Sequence, residues 1–424
     1  MSKKIFLLLS TLVISFMLIS CDSNRGVYYL NFKPEADAAW INLAKKYTEA
    51  TGVNVTVVTA AEGRYEETLT TEMNKSSAPT LFQISGQVAY NTWKDFCLDL
   101  SNTEAYKQLI SDDYAIKDES GVYGIAYVYE GYGLITNKKL LETAGFKYED
   151  ITSFEKLKEV ALSITSRKNQ LGFGAFSSSG LDGSSNWRFS GHLTNIPLYY
   201  EFTEDKIQNQ PATIKGTYID NMKMLWDLYI NNTYNVNPTA LTSSTLDSSR
   251  AEFLNGKAVF YQNGTWEYSA VSKVLKDEEI GFLPMYMGID DANQGLSSGT
   301  ENYWAINKQA SQKDQQDTID FLNWVTTNEV ALTSLANDMG YVAPFKKAVK
   351  TNNLLYDYID LSIKAGKTNI GWLFTYTPNT EAWRNGVVDS MAVYSANQNS
   401  ANWEKVRNAM VNGWEEQYKL SVQQ

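Results

Sequence analysis

Histidine is nearly missing from this chain: His192 is the single one in 424 residues. A multi-histidine metal site is therefore excluded, and a Ser-His-Asp triad would have to be built on that one ring. In its polar, glycine-containing surroundings His192 reads as structural or ligand-touching rather than catalytic. Cysteine is almost as scarce, with two residues, Cys21 and Cys97. Neither a disulfide framework nor a cysteine-based metal site can be assembled from them. The chain has no long Lys/Arg run, and its formal charge is −11. A phosphate-backbone binder needs a basic stripe, so nucleic acid is not an expected partner. Solenoid-length repeats and low-complexity tracts are absent too. Nothing calls for a metal or a cofactor.

Length and rings are what the chain does have. At 424 residues it exceeds one ordinary domain, and a hydrophobic share of 43% supports a sizeable core. Two α/β lobes are the default expectation. Aromatics make up 13%, including 11 Trp and 27 Tyr. Some must be core, but so many amphipathic rings also suit a surface that recognises something flat and hydroxylated.

At the N-terminus Lys3 and Lys4 precede an apolar run from Ile5 to Ile19. It is too short, and too closely followed by polar sequence, to favour a spanning helix. Leu18-Ile19-Ser20-Cys21 is similar to the bacterial lipobox. That resemblance implies cleavage before Cys21 and lipid on its sulfur: residues 1–20 as signal peptide and 21–26 as anchor and tether. The mature chain would be tied to a membrane without crossing it.

Beyond the tether the pattern alternates. Val27–Phe32 reads as a strand, and Pro34 opens a helix with Trp40, Leu43, Ala44 and Tyr47 on one face, ended by Gly52. Val53–Thr59 and Thr80–Ser85 read as strands around a helix from Gly63 to Lys75. Strand–helix–strand order implies a parallel sheet with ligands beyond the strands' carboxyl ends, here Phe32-Lys33, Ala60-Ala61-Glu62 and Gln83 to Gly86. Ser153 and Phe154 start a capped helix. Leu171–Phe176 reads as a strand and Ile280–Met285 as a strand returning to the first lobe. Trp266 follows a strand and an Asn263-Gly264 turn. It falls at a helix N-terminus, where it suits ring stacking or, alternatively, a structural staple. Trp226 belongs to a helical core stripe.

The centre of the chain is Tyr123–Phe146, an aromatic and β-branched run crossing one carboxylate, Glu130, before an amphipathic helix. Burying Glu130 among Tyr127, Tyr129 and Tyr132 would be costly unless it is paired. We read the stretch as a crossover between lobes with Glu130 facing a cleft. The alternative is a salt-bridged or capping Glu at an ordinary strand end.

Several stretches in order resemble one family, the bacterial extracellular solute-binding lipoproteins of ABC sugar importers related to maltose-binding protein. These are APTLFQIS, VYGIAYVYEGYGLITNKKLLETAGF, GKAVFYQNGTW and GYVAPFK. The chain departs from the family pattern at Thr80, Ala126 and Thr136. The resemblance implies an α/β, two-lobe periplasmic-binding-protein-like fold of type II, each lobe a mainly parallel sheet flanked by helices, with hinge crossovers. Lobe 1 is expected over 27–130 and 284–338, and lobe 2 over 131–283 and 339–424. It implies a sugar or oligosaccharide ligand, ABC permease subunits as partners, a monomer, and a place on the outer face of the cell membrane. By the same resemblance Glu130 accepts sugar hydroxyls, Trp266 stacks, Gln83 and Ser85 end a lobe 1 strand, and Trp187 and Arg188 lie in the lobe 2 aromatic loop. Trp372 and Trp383 are both candidates for a C-terminal stacking ring. Local sequence adds Glu62, Asn263, Tyr303 and Trp304. A secreted glycoside hydrolase is the enzymatic alternative and would need two carboxylates facing one bond. An adhesin would show a filled cleft.

Overall fold

The computed structural model describes residues 25–423. Cys21 and the leader lie outside the described residues. Twelve strands are described: β1 Val27–Asn31, β2 Val55–Thr59, β3 Leu81–Ser85, β4 Ala115–Asp118, β5 Gly121–Ala126, β6 Glu130–Asn137, β7 Gly174–Phe176, β8 Ala258–Gly264, β9 Ile280–Leu283, β10 Gln294–Gly299, β11 Asn302–Ile306 and β12 Thr368–Ile370. They form two sheets, ordered β2-β1-β3-β11-β5-β4 and β12-β10-β6-β8-β7, with β9 also paired to β6. The β1–β2 and β1–β3 pairs are parallel, as are β7–β8 and β10–β12. The other pairings are antiparallel. Helices flank each sheet, and each lobe has its own core.

Local chemistry explains the elements. The helix Asp37–Thr51 buries Trp40, Leu43, Ala44 and Tyr47 at i, i+3, i+4 and i+7, the spacing that lines one helical face. Gly52 ends it at φ 77°, with its N–H donating to the Thr48 carbonyl, a conformation that residues with a Cβ avoid. Ser153 caps the helix Phe154–Ser166, its hydroxyl accepting from the Lys156 N–H. Trp226 is fully buried. The stretch from 171 departs from expectation. A short helix, Lys168–Leu171, runs into it and breaks at Gly172, φ 79°, so that only Gly174–Phe176 is extended.

The chain crosses between lobes three times. The first crossing, residues 127–129, joins β5 to β6. The second is only Thr300-Glu301, between β10 and β11. The third follows Phe345, which bridges Leu109 in lobe 1, and ends before the helix Leu354–Lys364, which packs in lobe 2. Tyr129 pairs with Val342, lacing the first crossing to the end of lobe 1 just before the third. The lobe boundaries therefore move from those expected. β9 is not a return to lobe 1, because Ile280–Leu283 pairs antiparallel with β6. The second segment of lobe 1 begins near 302 and runs to 345, where Tyr341, Ala343 and Phe345 join its core. A short apolar strand reads the same whichever sheet it enters, so its sequence does not mark the boundary.

The lobes approach each other closely at two places away from the crossings. Gly63, φ 69°, lies so close to the Gly183 backbone that a Cβ would have no room, and a Cβ on Gly86 would come within 3.1 Å of Thr375. Among the described residues no helix is long and apolar enough to cross a membrane, and no cluster of potential metal ligands occurs.

Candidate functional site

The centre of the cleft starts at the end of β1. The Asn31 amide donates to the Lys33 carbonyl at 2.8 Å and accepts from the Lys33 N–H at 3.1 Å. This local clamp fixes the backbone just before Pro34. From it the Lys33 ammonium reaches both carboxylate oxygens of Glu130 at 2.7 Å. Both side chains are buried, at 6% and 2% exposure, so a polar partner was obligatory for each. Glu35 approaches the same ammonium at 3.9 Å. Glu130 is thus not a free carboxylate awaiting hydroxyls. It anchors Lys33, and Asn302 adds a 3.4 Å contact.

Lys33 also sits 5.3 Å from the Trp266 ring centre, within cation–π range. Trp266 follows β8, where its indole folds back over Gly264 and a Cβ would strike the ring. The turn bearing it is fastened on two sides. Arg250 grips the buried Glu267 carboxylate at 2.8 and 2.7 Å, and the Asn353 amide donates to the Thr265 carbonyl at 2.8 Å. Trp266 itself is half-buried. Trp187 lies 5.8 Å from it and His192 5.6 Å. His192 stacks flat on Tyr132, centroids 3.9 Å apart, and leads on to Trp372 and Phe374 at 6.3 and 5.8 Å. Burial, reinforced by Arg384, Arg188 and Lys33, holds the imidazole pKa well below its usual range, so the ring is neutral.

The facing wall, from lobe 1, is charged. Burial raises Glu62 to about 7, with Glu35 adding and Arg250 opposing. It raises Glu35 to about 7 against the pull of Lys33, although the Glu35 side chain keeps 24% exposure. Glu66 is also raised to about 7 by burial, with Arg384 opposing. Glu301 shifts upward from the same causes.

The candidates divide by position. Trp187, Trp266 and Trp372 cluster around His192, Glu62 lies close enough to Arg250 of lobe 2 to feel its charge, and Ser85 is half-buried at the end of β3. Arg188 is not among them. It is 1% exposed, and its guanidinium donates to Gln262, Ser185 and Ser249 inside lobe 2. Trp304 stacks on Tyr127 at 4.5 Å in the lobe 1 core, and Tyr303 is buried in the neighbouring cluster. Trp383 donates to the Met410 carbonyl and packs edge-on against Trp414. Between the two C-terminal tryptophans, then, only Trp372 reaches the aromatic wall. Gln83 is saturated by Phe32, Tyr29 and Tyr127. Asn263 is buried, with its amide on Tyr261. These side chains face inward because their own hydrogen bonds are already met there.

Lys33, Phe374 and Arg384 were missed. Lys33 had a signal, since it stands at a strand's carboxyl end. Arg384 follows a core tryptophan on a helix, and one step of about 100° turns it away from that core. A separate polar depression of about 240 Å³ on lobe 2 includes Ser178, Thr233, Asn237 and Glu252 in its lining. Glu252 there already accepts from Ser178 and Asn235.

The chain belongs to the bacterial extracellular solute-binding proteins, whose family model matches residues 42–358. It is similar to the maltotriose-binding protein of Pyrococcus abyssi (strain GE5 / Orsay), with 22% identity over 353 residues, covering 80% of this chain and 71% of the relative. The fold matches RafE in complex with raffinose at TM-score 0.71 and 17% identity, covering 92% of this chain and 99% of that one. It matches maltose-bound MalE3 of T. maritima at TM-score 0.69 and 15% identity, covering 93% and 99%.

Proposed function

We propose that this protein captures a neutral sugar or oligosaccharide between its lobes and delivers it to an ABC permease. The observation carrying this reading is the tryptophan wall of Trp187, Trp266 and Trp372 set across a crossover hinge from the Lys33 ammonium. Aromatic faces attract the C–H face of a pyranose, and polar side chains opposite serve its hydroxyls. The named relatives bind maltotriose, raffinose and maltose, which supports the same ligand class. Closure follows from contacts made better in the closed form than in the open one. Lys33, already paired with Glu130 and held over Trp266, would meet hydroxyls that arrive on the indole face. In this reading the protein acts as a monomer on the outer face of the membrane, tethered through lipid on Cys21, and does no chemistry on its ligand. A thermal-shift screen against maltotriose, maltose, raffinose and chitin oligosaccharides tests it, because a ligand of the folded form raises the melting temperature by mass action. At least one sugar is expected to raise it. A flat response to all of them overturns the proposal.

A further inference from the structure

Two glycines of lobe 1 meet lobe 2 directly. Gly63 follows β2 with a left-handed φ of 69°, and a Cβ on it would lie 2.2 Å from the Gly183 carbonyl oxygen. The obstacle is backbone, which cannot swing aside as a side-chain tip can. Gly183 is also overlaid by the next lobe 1 residue. A Cβ there would come within 3.5 Å of the Arg64 guanidinium, which pairs with Glu67 at 2.9 and 3.0 Å. At the second place Gly86, φ 81°, opens the helix Gly86–Trp93, and a Cβ on it would meet the Thr375 Cβ at 3.1 Å. Backbone twist alone does not explain these two glycines. Gly52 and Gly145 are equally left-handed and have nothing within 4 Å. Gly63 and Gly86 supply the twist and also the missing Cβ that a close approach needs.

Both contact points on lobe 2 are fastened to tryptophans of the wall. In the Gly183 turn the Ser185 and Asn186 N–H groups donate to the Asp182 carbonyl at 2.9 Å, and the Ser184 N–H donates to the Asp182 carboxylate at 2.9 Å. The Trp187 indole N–H then donates to the Ser184 carbonyl at 2.9 Å. At the other place the Thr375 hydroxyl donates to the Trp372 carbonyl at 2.9 Å. The Asn195 side-chain oxygen holds that turn, accepting from the Leu373 and Phe374 N–H groups at 2.7 and 3.0 Å. Lobe 1 therefore rests on the two turns tied to Trp187 and Trp372. Bulk added at either contact has to move a whole lobe or break these bonds, because packed surfaces do not deform continuously.

We propose that Gly63 and Gly86 are positioning residues that set how closely lobe 1 approaches the tryptophan wall. A side chain at either one holds the lobes apart. Gly63 is the stricter of the two, since it faces backbone, whereas Gly86 faces the side chain of a half-buried threonine. The consequence for affinity rests on the sugar-capture reading, and the consequence for shape does not.

The test compares the wild type with Gly63→Asn, Gly86→Asn and the control Gly52→Asn. Asparagine tolerates left-handed backbone better than most residues with a Cβ. The control makes the same change in the same lobe with no contact to disturb. Melting curves establish that each variant folds. Small-angle X-ray scattering gives the radius of gyration alone and with maltotriose, and calorimetry gives the maltotriose affinity. Gly63→Asn is expected to have a larger radius than the control and to bind maltotriose about tenfold more weakly, because the lobes no longer reach their close approach. Gly86→Asn should move in the same direction with a loss of about threefold. Equal radii for Gly63→Asn and the control in both conditions overturn the positioning role, whatever the affinities. A larger radius with unaltered affinity overturns its link to the tryptophan wall. Maltotriose that fails to bind the wild type counts against the sugar-capture reading, and the scattering comparison still decides the role of the glycines. Should Gly63→Asn fail to fold, Gly86→Asn decides it by the same comparison.

Discussion

The two walls of the cleft are made from different chemistry and held in different ways. On lobe 2 the wall is aromatic: Trp187, His192, Trp266 and Trp372 touch one another and continue into that lobe's own core. On lobe 1 it is charged: Lys33, Glu35, Glu62 and Glu66, with Glu301 at the crossing. The aromatic wall is assembled whether or not the lobes meet. The charged wall's carboxyls are raised by burial, with Arg250, Glu267 and Arg384 of lobe 2 among the charges they feel. Stacking contacts thus lie within one lobe, whereas the electrostatics of the carboxyls involve both.

The largest effect expected from disturbing this arrangement is at the hinge. Glu130→Ala leaves the Lys33 ammonium buried without its partner and should cost about 3–5 kcal/mol of unfolding free energy in urea titrations. Pairing Glu130→Gln with Lys33→Met should recover much of that loss. An undiminished midpoint in Glu130→Ala would show that the pair does not hold the crossing. Next in size are tryptophans that never reach the cleft. Trp304→Phe and Trp383→Phe remove buried indoles, so each should cost roughly 1–3 kcal/mol of stability with sugar affinity unchanged by calorimetry. A selective loss of binding would return them to the site. Trp187→Ala should do the reverse, weakening binding by roughly 0.5–1.5 kcal/mol beyond its area term, with a smaller change in melting temperature.

The smallest effect concerns pH. Glu35, Glu62 and Glu66 carry carboxyls raised to about 7 from 4.5. A group raised in the compact form favours that form fully below its ordinary value, and the contribution disappears as pH climbs through the raised one. Sugar affinity should therefore fall severalfold between about pH 5 and about pH 8. Affinity that rises over that window would mean the lobe 1 carboxylates are not squeezed by closure.

Much of the architecture was legible from local pattern. Gly52 stopped its helix where expected, and the carboxyl ends of β1 and β3 face the cleft region as a parallel arrangement requires. Trp266 was legible because a tryptophan just past a strand and a glycine turn has little core to enter. What local pattern could not reveal was pairing over distance. Glu130 stood out as a carboxylate needing a partner, but Lys33 lies 97 residues away, and nothing in either neighbourhood names the other. The misplaced residues have two causes. Arg188 and Trp383 each sit one step from a cleft-facing neighbour, and the strand of Trp304 is buried on both faces, so alternation gave no inward or outward choice. The strand Ile280–Met285 reads as returning toward lobe 1 because a short apolar strand suits either sheet, whereas Ile280–Leu283 pairs with β6 in lobe 2.

The central claim is that a neutral sugar sits on the lobe 2 indoles between the lobes. The most direct test is calorimetric titration of the wild type and Trp266→Ala with whichever of maltotriose, maltose, raffinose or chitin oligosaccharide raises the melting temperature most. One-to-one binding by the wild type and a loss of roughly tenfold to a hundredfold, about 1.4–2.8 kcal/mol, in the variant are predicted. Equal affinities for the two proteins would contradict the account.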